Sequence, residues 1–450
     1  MRVVVVGGGF AGLAAAITLQ ERRHAVLLLE RRGLLGGRAT SMRDTLSGED
    51  VDNGTHLMIA GYGATLDLIQ RAGAGDLLHI QPNLRLDYID DRGYATLACP
   101  PVVAPLHLLF GLLGLRVPWS VRWQALRLGL AVRFGPPPHG LTLAEYFRRT
   151  GQGTQARRLL WDPLAIAILN ETPEKAAAIL FWNVYREAFL ASHAASRLVF
   201  LKRGWGVLHE RLARYFEARG GVLHKRALAE AIEISEGRVT GVRYSQRAQT
   251  REEIRAGKRA ESKTAAADGI VSAVPWSALP GLLPAGLRTE PPFASVVRLA
   301  GSPIVSVEMW LDRVVVDRAM VGLRDSEMEW VFDKGRIFGR EGAPQHLAFI
   351  VSAAWRSVPR PNAELVAAAE SALRRYFPSM QDASVTRSLV MREAEATFAS
   401  DPEAEAHRPG THTRVRGLYL AGDWTATGLP ATIEGAVRSG LAAAAAIEAS

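Results

Sequence analysis

Four glycines within six residues, set between an apolar strand and a helix of small residues, constrain this chain more than any other feature. Residues 2–6 read RVVVV, a β-branched run suited to a parallel strand buried on both faces. Gly7-Gly8-Gly9-Phe10-Ala11-Gly12 follows and fits G-x-G-x-x-G. Residues 13–22 (LAAAITLQER) then read as a helix, and a second apolar strand over 25–29 ends at Glu30. Each part has a mechanical task. Gly7 permits the tight turn, Gly9 lets backbone approach a pyrophosphate, and Gly12 lets helix and strand pack closely. The helix N terminus offers N–H donors and the positive end of its dipole, which places Phe10 and Ala11 at the ligand. Glu30 can accept the hydroxyl hydrogens of an adenosine ribose and disfavours a 2′-phosphate there, with Arg31 beside it. The unit predicts a dinucleotide site.

The chain has 450 residues, too many for one ordinary core, so two domains are expected. Two further segments sharpen the ligand. Leu34-Leu35-Gly36-Gly37-Arg38-Ala39-Thr40 makes a second close-approach loop with a cation, suited to a pyrophosphate or a flavin edge. Gly417-Leu418-Tyr419-Leu420-Ala421-Gly422-Asp423 is a short strand ending in a small-Gly-Asp turn, where Asp423 can bond a ribityl hydroxyl. Ala431-Thr432-Ile433-Glu434-Gly435-Ala436 opens a last helix running through Ala446, whose N terminus can stabilise negative charge at the flavin N1/O2 edge.

This order of motifs, at both ends of the chain, resembles the FAD-dependent amine oxidase and phytoene desaturase superfamily. The resemblance implies an α/β fold: a discontinuous Rossmann-like FAD-binding domain of the p-hydroxybenzoate hydroxylase-like (GR2) type, and a substrate domain of mixed sheet and helices. The FAD domain is expected from residues 1–84, 204–286 and 406–450, and the substrate domain from 85–203 and 287–405. The resemblance also implies that Gly54, His56 and Leu57 meet the flavin and that Ala227 and Leu228 meet the adenine. No cysteine stands near the C-terminal motif, so the FAD is expected to be noncovalent.

The middle FAD segment is expected as a helix over 208–219, Gly220-Gly221, a strand over 222–225, a hairpin of 231–235 and 240–245 turning at Glu236-Gly237-Arg238, and a returning strand over 268–275. Residues 246–267 are highly charged without apolar periodicity and are expected to be an exposed loop or ribbon. In the substrate domain the pattern predicts a hairpin of 84–90 and 94–98, strands at 304–311 and 346–353, and helices at 143–149, 155–168, 173–191 and 362–376.

Residues 100–134 (PPVVAPLHLLFGLLGLRVPWSVRWQALRLGLAVRF) combine an apolar run too short to span a bilayer with a Trp-, Leu- and Arg-rich stretch. Trp119, Trp123, Leu126 and Leu130 share one helical face. This describes an element lying in a membrane interface, and equally a pair of core helices lining an apolar cavity. The net charge is +9, carried mostly by arginine, since only six of 54 basic residues are lysine. That balance fits anionic headgroups as well as a compositional bias. No basic and aromatic interleaving points to nucleic acid, and no metal-ligand spacing is present. The single cysteine, Cys99, cannot form an intrachain disulfide. With no secretory signal and no run of 18 apolar residues, the expected location is the cytoplasm, peripherally on the inner face of the membrane.

Within the superfamily, three stretches look like bacterial hydroxysqualene dehydroxylases: Asp52-Asn53-Gly54-Thr55-His56-Leu57-Met58 with Gly61-Tyr62, Trp161-Asp162-Pro163-Leu164 through Pro173, and Gly422-Asp423-Trp424 through Glu434. The implied reaction reduces hydroxysqualene to squalene for hopanoids, with loss of water and a hydride from reduced FAD. Losing an allylic hydroxyl needs a proton donor. His56 and Asp162 are candidates, Tyr62 could bond the hydroxyl, and Glu171 and Asn170 are weaker choices. Against these stand a cap or kink role for Asp162, a flavin-orienting role for His56 and a core role for Tyr62. Rival readings are a carotenoid-type desaturase or isomerase, a noncovalent amine oxidase, and a nonenzymatic isoprenoid carrier. No second G-x-G-x-x-G unit is available for NAD(P)H, so the electron donor is open.

Overall fold

Val3 to Val6 are buried because strand Arg2–Val6 sits at the centre of a parallel sheet with helices on its faces. The computed structural model describes residues 1–246 and 260–450. Its five-stranded sheet runs in the order Val222–His224, Ala25–Leu29, Arg2–Val6, Gly269–Ser272, Leu418–Leu420. Every pairing is parallel. Three distant stretches of chain therefore build one sheet. Helix Phe10–Glu21 packs against the final helix, Ile433–Glu448, through small residues. A Cβ on Gly440 would lie 2.1 Å from the Ala11 carbonyl oxygen, so only glycine admits this approach.

The expected hairpin is longer than its apolar pattern: Ala227–Ser235 pairs with Arg238–Gln246. Its turn is Glu236-Gly237 alone, both at positive φ, the geometry that matches strand twist in a two-residue loop. Strand Glu261–Ala266 adds to its edge, so part of the charged stretch is a solvated ribbon. The remainder of that expectation, residues 247–259, lies outside the described residues.

A seven-stranded mixed sheet forms the other half. Its order is Val385–Phe398, Gly301–Leu311, Gln345–Val351, Trp330–Asp333, Met320–Leu323, Arg85–Asp90, Gly93–Ala98. One face packs on helix Asn362–Tyr376. The other turns toward the parallel sheet. Three of these strands escape the sequence pattern. Met320–Leu323 and Trp330–Asp333 are four-residue runs buried on both faces, and Val385–Phe398 is a half-exposed edge strand rich in charge.

Two expected helices are broken. The 155–168 stretch has a π-helical turn at Arg157–Trp161 before helix Asp162–Leu169. The 173–191 stretch begins only at Ala178, because the Ala177 N–H donates to the Ser400 carbonyl, and it widens to a π-helix over Tyr185–Leu190. Residues 100–134 form helices Leu106–Gly114 and Trp119–Phe134. The second buries Val121, Ala125, Leu128 and Val132 and turns Trp119, Trp123, Leu130 and Phe134 outward. Trp119 is 72% exposed and Phe134 88% exposed. Among the described residues no helix is long and apolar enough to cross a membrane.

Candidate active site

The C-terminal ends of the parallel strands open into one cavity roofed by the seven-stranded sheet. Gly7, Gly9, Phe10 and Ala11 line its floor, where the first helix starts at Gly9. Gly12 stands behind them. A Cβ there would lie 1.8 Å from the Gly7 carbonyl oxygen, so its absence lets the loop close. Glu30 lines the same end, and its carboxylate accepts from the Gly8 N–H at 2.7 Å and the Arg32 N–H at 2.7 Å. Arg31, Ala227 and Leu228 complete that end.

Gly36 and Gly37 lie over the glycine loop, both at positive φ. Gly36 pairs with Gly9 as an isolated parallel bridge. Under them sits His209, which sequence reasoning missed. A Cβ on Gly36 would come within 2.5 Å of its ring. Burial pushes the His209 imidazole down to about 4, so it is neutral and packs as a ring against Phe10. Arg38 pairs with Asp423 and donates to the Ala396 carbonyl at 3.1 Å. The loop after strand Ala25–Leu29, the C-terminal turn and the seven-stranded sheet are thus tied at one guanidinium.

Gly54, His56 and Leu57 line the next stretch, and Ala431, Thr432, Ile433 and Ala436 face it from the start of the last helix. Thr432 caps that helix, its hydroxyl accepting from the Gly435 N–H at 3.0 Å. The Glu434 carboxylate accepts from Ala64 and Thr65 N–H groups, which fixes the helix start against helix Gly63–Arg71. Gly422 is held by the Ser439 hydroxyl, which accepts its N–H at 2.7 Å. Asp52, at the root of the 53–57 loop, pairs with Lys334 at 2.5 Å, and both side chains are buried. The two are 282 residues apart, so no local pattern announces the pair. The Thr55 hydroxyl, in the same loop, is buried and has no partner among the described residues.

These residues fit FAD. There is a bare helix N terminus for the pyrophosphate, a carboxylate for the ribose and a second helix N terminus with an unpartnered hydroxyl opposite. The only cysteine, Cys99, is buried against Gly111 and does not line the cavity.

The proton-donor candidates separate. His56 lines the cavity, its Nε2 3.2 Å from the Arg38 carbonyl and its ring edge-on to Trp205. Burial lowers its proton affinity, which leaves a neutral, oriented ring. Tyr62 also lines the cavity, and burial raises its hydroxyl above the usual phenol range. Asp162 requires correction, because it is not among the lining residues. Leu164, Ala167 and Ile168 present the cavity face of its helix, while the Asp162 carboxylate turns away onto Arg157, at 3.0 and 3.2 Å. Asn170 lines the cavity and crosslinks its roof. Its amide donates to the Ser302 carbonyl and to Thr397, and accepts from the Ala353 N–H at 2.7 Å. Glu171 is buried but does not line the cavity. Ser352 and Glu393, on the roof, were not singled out by any motif.

The pattern shared by flavin containing amine oxidoreductases matches residues 10–448. The chain belongs to that family. A hydroxysqualene dehydroxylase from Sinorhizobium fredii is 30% identical over 98% of this chain and 97% of that protein. One from Rhodopseudomonas palustris is equally similar, over the same shares. A probable zeta-carotene desaturase from Synechococcus elongatus is 25% identical, covering 99% of this chain and 98% of its own. Among solved structures, an oxidoreductase from Methanosarcina mazei superposes with a TM-score of 0.74 at 16% identity, covering 98% and 99% of the two chains. A putrescine oxidase variant gives 0.69 at 16% identity, covering 100% and 98%. The fold is that of FAD-dependent amine oxidases, and the resemblance to hydroxysqualene dehydroxylases extends along the whole chain. This family member is an FAD-dependent oxidoreductase, and FAD supplies two-electron hydride chemistry at the cavity.

Proposed function

We propose that this enzyme reduces hydroxysqualene to squalene. The C–O bond breaks, the hydroxyl takes a proton and leaves as water, and a hydride from reduced FAD forms the new C–H bond. What carries the reading is the character of the cavity beyond the flavin edge, in a chain aligned end to end with two proteins named for that reaction. Leu86, Leu164, Val184, Met320, Phe332 and Ile350 line it, which suits a long hydrocarbon and not a polar amine. Anaerobic incubation of dithionite-reduced protein with hydroxysqualene tests this. Flavin reoxidation with squalene formation is expected, and a flavin that stays reduced refutes it.

The zeta-carotene and phytoene desaturases among the relatives favour a second reading, oxidation of an isoprenoid chain. Desaturation of phytoene by the oxidised enzyme would support that reading instead.

We also propose that the enzyme works on the cytoplasmic surface of the membrane, in the supply of squalene for hopanoids. Trp182, whose indole donates to the Val132 carbonyl, joins helix Trp119–Phe134 to helix Ala178–Val184, and Val184 lines the cavity. The outward Trp119, Trp123, Leu130 and Phe134, with exposed Val103, Leu106 and Phe110 nearby in the chain, are apolar and aromatic side chains of the kind that enter a lipid interface. Arg122 stacks on Trp119 at 4.5 Å, leaving cation and indole together at the interface.

A further inference from the structure

Dehydroxylation needs a proton delivered into an apolar cavity, and most acids on its wall are committed elsewhere. Glu30 accepts two backbone N–H groups, Asp423 faces Arg38, and His56 is held neutral. Behind the roof stands a carboxyl no motif indicated. Glu329, just ahead of strand Trp330–Asp333, accepts from the Ser352 N–H at 3.0 Å, and the Ser352 side chain beside it favours its carboxylate form. Ser352 is buried and lines the cavity, whereas Glu329 does not line it and keeps some accessible surface. The pair therefore has one end on the cavity and the other off it. Asn170 fixes the position by accepting the N–H of the next residue, Ala353.

We propose that Ser352, backed by Glu329, is the proton relay for the leaving hydroxyl. The Ser352 O–H donates to the departing oxygen, the C–O bond breaks, and water leaves. Glu329 returns a proton to Ser352 and takes one in turn from solvent. Reduced FAD supplies the hydride that quenches the cation, so the inference rests on the dehydroxylase reading above.

Two physical points support the arrangement. A hydroxyl passes a proton on without leaving charge on an apolar wall. The carboxylate formed is one residue behind the wall, out of reach of an allylic cation that would alkylate it. Burial pushes the Glu329 carboxyl up to about 7, so roughly half of it still holds a proton at neutral pH and it can both give and regain one there. Burial outweighs the contact with Ser352, which favours the carboxylate. The nearby charges are paired among themselves, Glu327 with Arg360 and Asp325 with Arg158.

The test is stopped-flow reoxidation of anaerobically reduced holoenzyme by hydroxysqualene, from pH 5.5 to 8.5. In the unmodified enzyme the rate should fall as pH rises through about 7. Glu329→Gln and Ser352→Ala should each slow it by about 100-fold and remove that pH dependence, with FAD content unchanged. Ser352→Thr, which keeps the hydroxyl, should retain the pH profile, and it stands in if Glu329→Gln does not fold. A Glu329→Gln enzyme with the parental profile overturns the relay. So does loss confined to Glu393→Gln, which would make Glu393, the carboxyl that lines the roof itself, the donor. If the unmodified reduced enzyme is not reoxidised at all, the dehydroxylase reading falls and takes the relay with it.

Discussion

The floor and the roof of the cavity are built by different means. The floor is main chain: glycine loops and two helix N termini that present N–H groups, with side chains mostly behind them. The roof is side chain: residues projecting from a sheet whose inner strands are paired on both edges. A main-chain surface is set by which residues lack a Cβ, and it tolerates almost no change. A side-chain surface can be altered one residue at a time while the sheet stands.

The largest effect should therefore come from the floor. Gly12→Ala sets a Cβ 1.8 Å from the Gly7 carbonyl oxygen, and both partners are main chain. The purified variant should carry little or no flavin, whereas Ile304→Ala on the roof should keep a full complement by the 450 nm absorbance ratio. Equal flavin content in the two would erase the distinction. Next is the bolt between floor and roof. Lys334→Met leaves the buried Asp52 carboxylate unpaired and should cost about 3–5 kcal/mol in urea unfolding. Asp52→Leu combined with Lys334→Met should recover most of that loss.

A smaller effect belongs to His209, under the Gly36 loop. Its folded affinity is lowered to about 4 from the ordinary 6.5, so the unfolded chain binds the proton first. Stability from this group is whole above pH 6.5 and is lost as pH falls toward 4. Between pH 7 and 5 the parent should lose about 2 kcal/mol more than His209→Gln, and parallel losses would refute the assignment. The smallest effect on folding should come from Trp119→Ser with Trp123→Ser, since both rings are outward, within about 0.5 kcal/mol. The same variant should lose most of its sedimentation with anionic liposomes, and undiminished binding would remove the membrane face.

The same contrast explains what could be read in advance. The glycine loop, Gly36-Gly37-Arg38 and the Gly422-Asp423 turn are legible because main-chain close approach leaves a local mark, glycine at fixed offsets. The parallel sheet follows from continuous apolar runs between those marks. The roof leaves no such mark. Ser352, Glu329 and Glu393 come together through strand register, and Lys334 meets Asp52 across most of the chain. Asp162 shows the limit within one helix. Its setting resembles the dehydroxylases, but only the turn geometry after the π-helical stretch decides that Leu164 and Ile168 face the cavity and that Asp162 faces Arg157. Val385–Phe398 was missed because an edge strand with charge on its open side has no apolar alternation to detect.

The contact between the first helix and the last has a consequence for biogenesis. Gly440 seats on the Ala11 carbonyl, and the helix that supplies it also brings Thr432 and Ile433 to the cavity wall. The glycine loop leaves the ribosome early, but the surface that closes over it is translated hundreds of residues later. The site is then complete only once that last helix has been made.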